Sequence, residues 1–106
     1  MDINEQIQAL IDQNAIVLFM KGTPQFPQCG FSARTVQALQ ACGASFQHVD
    51  VLAQPEIRQH LPRFSQWPTF PQVFINGELV GGCDIVLDLY QRGELQKLVV
   101  AAGTTA

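Results

Sequence analysis

Six consecutive apolar residues, Ala15-Ile16-Val17-Leu18-Phe19-Met20, constrain the fold of this chain more than any other stretch. The run falls far short of the ~18 residues of a membrane span, and it is rich in β-forming side chains. It shows no apolar–polar alternation, so neither face is marked for solvent. It reads as a central strand buried on both sides. Such a strand needs a layer of helices above and below its sheet.

The flanking segments supply those layers. Upstream, Ile3, Ile7, Leu10 and Ile11 recur at helical spacing, and Asp2 followed by Glu5 has the form of a capping box. Downstream, Gly22, Pro24 and Pro27 make Lys21 to Cys29 a loop. Ser32 to Cys42 follows as a helix with Val36, Leu39 and Cys42 on one face and Gly43 as its stop. Phe46 to Val51 alternates as a second strand, and Pro55 opens a short helix through Leu61. A proline-dense turn, Trp67-Pro-Thr-Phe-Pro71, precedes Val73-Phe-Ile and Glu78-Leu-Val, which flank the hairpin signal Asn76-Gly77. Asp84 is expected to cap a helix with Ile85, Val86, Leu89 and Tyr90 apolar, and Glu94 to Ala102 forms the last helix. Two strands joined by a helix make a right-handed parallel βαβ unit, to which the hairpin adds antiparallel strands. The expected architecture is α/β of the thioredoxin-like class. It is a mixed four-stranded sheet with helices on both faces, in one domain over residues 1–106.

Composition narrows the function classes. Six Lys and Arg against nine Asp and Glu, a net charge of −3, provide no cationic face for nucleic acid. A hydrophobic fraction of 47% excludes a disordered chain. The opening Met-Asp-Ile-Asn-Glu lacks the basic start and apolar stretch of a secretion signal, so the expected location is the cytoplasm, with no membrane partner. The cysteine count is three, and an odd number argues against a disulfide framework and for reduced thiols.

Cys29 stands where the first strand's loop turns into a helix. A thiol there faces unpaired backbone N–H groups and the positive end of the helix dipole, both of which stabilise a thiolate. Lys21, at the other end of the loop, adds a cation. Cys29 follows Pro27-Gln28 and lies outside any apolar periodicity, whereas Cys42 belongs to the apolar face of its helix and reads as core. Three places after Cys29 stands Ser32, so the loop holds no second thiol and cannot take up oxidising equivalents alone.

Lys21-Gly-Thr-Pro, Pro27-Gln-Cys29-Gly-Phe-Ser32, Trp67-Pro-Thr-Phe-Pro-Gln72 and Gly81-Gly-Cys-Asp84 occur in that order. Together they resemble the monothiol glutaredoxins of the Cys-Gly-Phe-Ser type, and the resemblance covers almost the whole chain. It implies a site for the tripeptide glutathione. Lys21 and Arg58 would hold its glycine carboxylate. A cis Pro71 would turn the Phe70 backbone outward for two hydrogen bonds to the tripeptide, a minimal strand addition. The N–H groups of Cys83 and Asp84 would receive the γ-glutamyl carboxylate, and the Asp84 side chain would pair with the ammonium.

The resemblance leaves two uses for Cys29. One is thiol–disulfide chemistry on glutathione mixed disulfides. The other is carriage of a 2Fe-2S cluster, with Cys29 as the metal ligand. Such a cluster normally takes four thiolates. One Cys29 and one glutathione from each of two chains make four, so a homodimer bridged by the cluster satisfies it. The family implies this role, with BolA-like proteins and apo iron–sulfur acceptors as further partners. Cys83 is open to two readings, a structural thiol or a disulfide partner of Cys29. His48 and His60 have no ligand-spaced neighbours, and Trp67 and Phe31 are equally compatible with plain packing or a partner surface.

Overall fold

The alternation of side chains along the apolar run sorts them between two helical layers. In a computed structural model, which describes residues 1–103, the elements are α1 (Ile3–Gln13), β1 (Ile16–Met20), α2 (Gly30–Ala41), β2 (Gln47–Asp50), α3 (Pro55–Ser65), β3 (Gln72–Ile75), β4 (Glu78–Gly81), α4 (Cys83–Gln91) and α5 (Glu94–Ala101). Every residue of β1 is at most 1% exposed. Ile16, Leu18 and Met20 pack with Val36 and Leu39 of α2, Val86 of α4, and Leu95 and Val99 of α5. Val17 and Phe19 point the other way, onto Ile7 and Ile11 of α1 and Ile57 and Leu61 of α3. On that face Phe19 meets Phe74 edge to face, with ring centroids 5.7 Å apart.

The sheet order is β2-β1-β3-β4. β1 pairs parallel with β2 and antiparallel with β3. The crossover through α2 and the hairpin β3–β4 are therefore those that the pattern predicts, and the architecture is the thioredoxin-like mixed sheet. Asn76 and Gly77 both have positive φ, 51° and 82°, as a two-residue hairpin turn requires. Asp2 caps α1 by accepting from the Glu5 N–H at 2.8 Å.

Three helix boundaries differ from the pattern. α2 begins at Gly30, so Cys29 itself is the N-cap, with extended backbone (φ −153°). Apolar periodicity starts only later, because the first turn of α2 is exposed at Gly30 and Phe31. α3 runs through Pro62 to Ser65. The proline removes one N–H near the helix end, and the Ser65 hydroxyl donates to the Leu61 carbonyl at 2.9 Å there. The cap of α4 is Gly82 rather than Asp84, which lies in the first turn. A Cβ at Gly82 would come within 3.2 Å of the Pro71 carbonyl and 3.3 Å of Trp67 Nε1, so any larger residue would press on both. Ile85 and Tyr90 are 40% and 43% exposed, which leaves Cys83 and Val86 as the buried residues of α4.

No helix among the described residues is long and apolar enough to cross a membrane. The central packing makes a direct prediction. Phe19→Ala should lower the unfolding free energy by about 3–5 kcal/mol, the usual cost of deleting a buried aromatic ring. Urea denaturation measures this, and a loss below about 1 kcal/mol would mean that the two layers do not depend on β1 as described.

Candidate functional site

Lys21 follows β1 directly, and the chain must return within a few residues to start α2. It does so as a miniature hairpin. Gly22 bridges Pro27 in antiparallel fashion, Phe26 N–H donates to the Thr23 carbonyl at 3.1 Å, and Gln28 N–H donates to the Lys21 carbonyl at 2.9 Å. Gly22 has φ +90°, and a Cβ there would lie 2.5 Å from the Phe26 carbonyl oxygen. No other residue fits. Asp50, at the end of β2, accepts from the N–H groups of Gly22 and Leu52 at 2.9 Å each through one carboxylate oxygen, and so ties this hairpin to the sheet.

The hairpin sets Cys29 beside the Lys21 side chain, at the head of α2. Ser32, fully buried, accepts from the Lys21 N–H at 3.2 Å and joins the end of β1 to the first turn of α2. The position expected to lack chemistry thus has a structural task. The Cys29 thiol is held below its ordinary value. The backbone N–H of Ser32 is the main cause, with the Phe31 N–H, the Lys21 charge and the Ser32 hydroxyl adding to it, while burial opposes them. Cys42 differs in kind. It is 4% exposed, burial pushes its thiol up, and its carbonyl accepts from Gln96 at 3.1 Å.

A cavity of about 870 Å³ opens in front of Cys29. Lys21, Cys29, Arg58, Phe70, Cys83 and Asp84 all line it, so the fold brings together every site residue that the sequence singles out. The Phe70–Pro71 peptide is cis, as expected. Gly82 carries no side-chain cap for α4, which leaves the first N–H groups of that helix without a side-chain acceptor. Among the described residues the salt bridge is Arg92–Asp88, remote from this cavity, so neither Lys21 nor Arg58 has its charge met by a carboxylate. The cavity therefore joins two cations, a helix N-terminus and a thiol whose thiolate form is favoured by its surroundings, which suits an anionic ligand bearing a sulfur atom.

Phe31 and Trp67, which the sequence left open, also line this cavity. Trp67 is directed there by the ending of α3, where Gln66 adopts positive φ and the Trp67 N–H donates to the Pro62 carbonyl at 3.1 Å, a Schellman-type turn. Phe31 is 53% exposed, and the Arg34 guanidinium lies 5.7 Å from its ring centre. Cys83 is 6% exposed and unpaired. Neither histidine lines the cavity. His60 is bonded to the Glu56 carbonyl at 2.9 Å. Asp50 and Gln72, which hold backbone in place around the site, were not marked as site residues by their sequence context. For Gln72 the available signal was a polar residue at the head of an otherwise apolar strand.

The thiol electrostatics predict a pH-dependent reaction. Alkylation of Cys29 by iodoacetamide should show its midpoint below that of an unperturbed cysteine. Lys21→Gln and Ser32→Ala should each raise that midpoint, since each removes a group favouring the thiolate. Mass spectrometry of peptides alkylated across the pH range would check this; an unchanged midpoint in both variants would exclude the Lys21 charge and the Ser32 hydroxyl as causes and leave the backbone N–H groups alone.

The glutaredoxin family profile matches residues 16–80. Glutaredoxin 4 of Escherichia coli (strain K12) is 60% identical over 95 residues, covering 90% of this chain and 83% of its own. The solution structure of reduced poplar apo GrxS14 superposes with a TM-score of 0.82 at 46% identity, covering 95% of this chain and 93% of that one. A crystal structure of a buckwheat glutaredoxin–glutathione complex superposes with a TM-score of 0.84 at 27% identity, covering 97% and 92%. With this fold, this degree of identity and Ser32 in place of a second loop cysteine, the chain belongs to the glutaredoxin family and is of the monothiol type.

Proposed function

We propose that this protein binds glutathione in the cavity beside Cys29 and carries a 2Fe-2S cluster as cargo between iron–sulfur proteins. The observation that carries this reading is a partly exposed Cys29 thiol, shifted toward its thiolate form, with a buried serine at the position of a second loop thiol. Lys21 and Arg58 hold the glycine carboxylate of the tripeptide. The Phe70 backbone pairs with its central peptide, as an added strand would. The N–H groups of Cys83 and Asp84 take the γ-glutamyl carboxylate at the start of α4, and the Asp84 carboxylate takes the ammonium. The buckwheat glutaredoxin crystallised with glutathione supports this choice of ligand.

The thiolate count supports a dimeric carrier. Among the described residues there is no group of three or more His, Cys, Asp or Glu side chains that could hold a metal ion. With three cysteines, one chain cannot supply the four thiolates of a 2Fe-2S cluster. Two Cys29 thiolates and two glutathione thiolates meet that number in a homodimer. A BolA-like protein in place of one subunit makes the mixed form, and apo iron–sulfur proteins are the acceptors. Three unpaired cysteines support a reducing compartment, the cytoplasm.

A second reading is favoured by the lowered thiol of Cys29. As a thiolate it attacks the glutathione sulfur of a mixed disulfide. A Cys29–glutathione disulfide forms, and the other thiol leaves as its thiolate. A second glutathione thiolate then releases Cys29 and yields oxidised glutathione.

One experiment separates the two. Anaerobic reconstitution with iron, sulfide and glutathione should yield a coloured dimer, read by absorption, circular dichroism and size-exclusion chromatography. Omitting glutathione, or Cys29→Ser, should leave a colourless monomer. A cluster with the same spectrum in Cys29→Ser would exclude Cys29 as ligand. The oxidoreductase reading prevails if no cluster assembles while the apo protein rapidly reduces a small glutathione mixed disulfide.

A further inference from the structure

Gln72 opens β3 with its side chain completely buried. Its amide nitrogen donates to the carbonyls of Trp67 at 2.9 Å and Thr69 at 3.1 Å. Its amide oxygen is buried without a partner. As a core residue it is a poor choice, because an apolar side chain of similar size would leave no orphaned oxygen. Its contribution lies in the two donated hydrogen bonds.

Those bonds go to the segment least able to hold itself. Pro68 and Pro71 have no N–H, and among the described residues no backbone-to-backbone hydrogen bond joins two residues of 67–71. The Gln72 amide stands in for the missing backbone donors. The same segment lines the cavity through Trp67, Thr69 and Phe70. Its far end is fixed by the pairing of Gln72 with Phe19 across the sheet.

We propose that Gln72 is a positioning residue for ligand recognition, its buried amide holding the Trp67–Pro71 turn so that the Phe70 backbone is preset to pair with an extended peptide. This rests on the glutathione reading above and names what makes its strand-like contact possible. The residue acts through Phe70 and touches no ligand itself. Preorganisation of this kind raises affinity by lowering the ordering cost on binding.

The test uses S-methylglutathione, which has no free thiol, so neither cluster assembly nor disulfide exchange enters. Its analogue with an ester in place of the cysteinyl N–H cannot make the full pairing with Phe70. Isothermal titration of wild type should show preference for the amide ligand. Gln72→Met should weaken the amide ligand by roughly tenfold, the ordering cost of about one loop residue that the buried amide otherwise meets in advance. It should weaken the ester clearly less, because one of the two hydrogen bonds to Phe70 is already absent there. Equal losses for both ligands would mean general loosening and would overturn the proposal, as would unchanged binding of the amide ligand. Gln72→Leu serves if the methionine variant does not fold, and failure of both to fold would make the amide purely structural and also overturn it. If wild type binds neither ligand, the glutathione reading falls and this role with it; if wild type binds and Gln72→Met matches it, only the role of Gln72 falls.

Discussion

Strand β1 has no solvent-facing side and no free edge, so other parts of the chain must meet both its faces and both its hydrogen-bonding edges. β2 takes one edge in parallel, with Met20 opposite Asp50. Parallel pairing requires a crossover, which here is α2. The chain must therefore leave β1 at its carboxyl end and enter a helix there, and this is where Cys29 stands. β3 takes the other edge antiparallel, with Phe19 opposite Gln72, so the turn before β3 arrives at that same end. The meeting of Cys29 with the Phe70 turn is a consequence of strand direction.

Packing alone does not set the walls of the resulting cavity, because loops rich in proline and glycine bury little. Three side chains do that work by bonding to backbone. Asp50 holds the hairpin that follows β1, Ser32 joins the end of β1 to α2, and Gln72 holds the turn before β3. Ser32 and Gln72 are fully buried. All three sit on regular elements, which suits a site whose loops must be held to fixed geometry. The cationic and N–H groups facing the cavity are left free for a ligand because the scaffold uses other residues.

The two-sided strand, the βαβ unit and the hairpin were legible because each rests on local chemistry: an unbroken apolar run, helical periodicity, and Asn-Gly at a turn that demands positive φ. Cys29 was legible as a thiol outside any apolar pattern. The apolar period of α2 placed its start only at Ser32, since its exposed first turn has none; the position of Cys29 at the loop-to-helix junction was the better guide. The continuation of α3 past Pro62 was not legible, because a proline near a helix end forfeits only one bond. Asp84 has the residue type of a cap, yet Gly82 takes that place, where a Cβ would lie close against the Pro71 carbonyl and the Trp67 indole. That crowding joins segments far apart in sequence, and no local rule reports it.

Sequence by itself determined the order of elements, the buried central strand and the single loop thiol, because each follows from side-chain character over a few neighbouring residues. Tertiary structure decided which residues stand around that thiol. Lys21, Arg58, Phe70 and Asp84 come from four separate segments, and they converge through strand direction and helix crossover. It also decided that Asp50 and Gln72 serve the site from outside it. Their bonds run to backbone groups whose positions exist only once the sheet has formed.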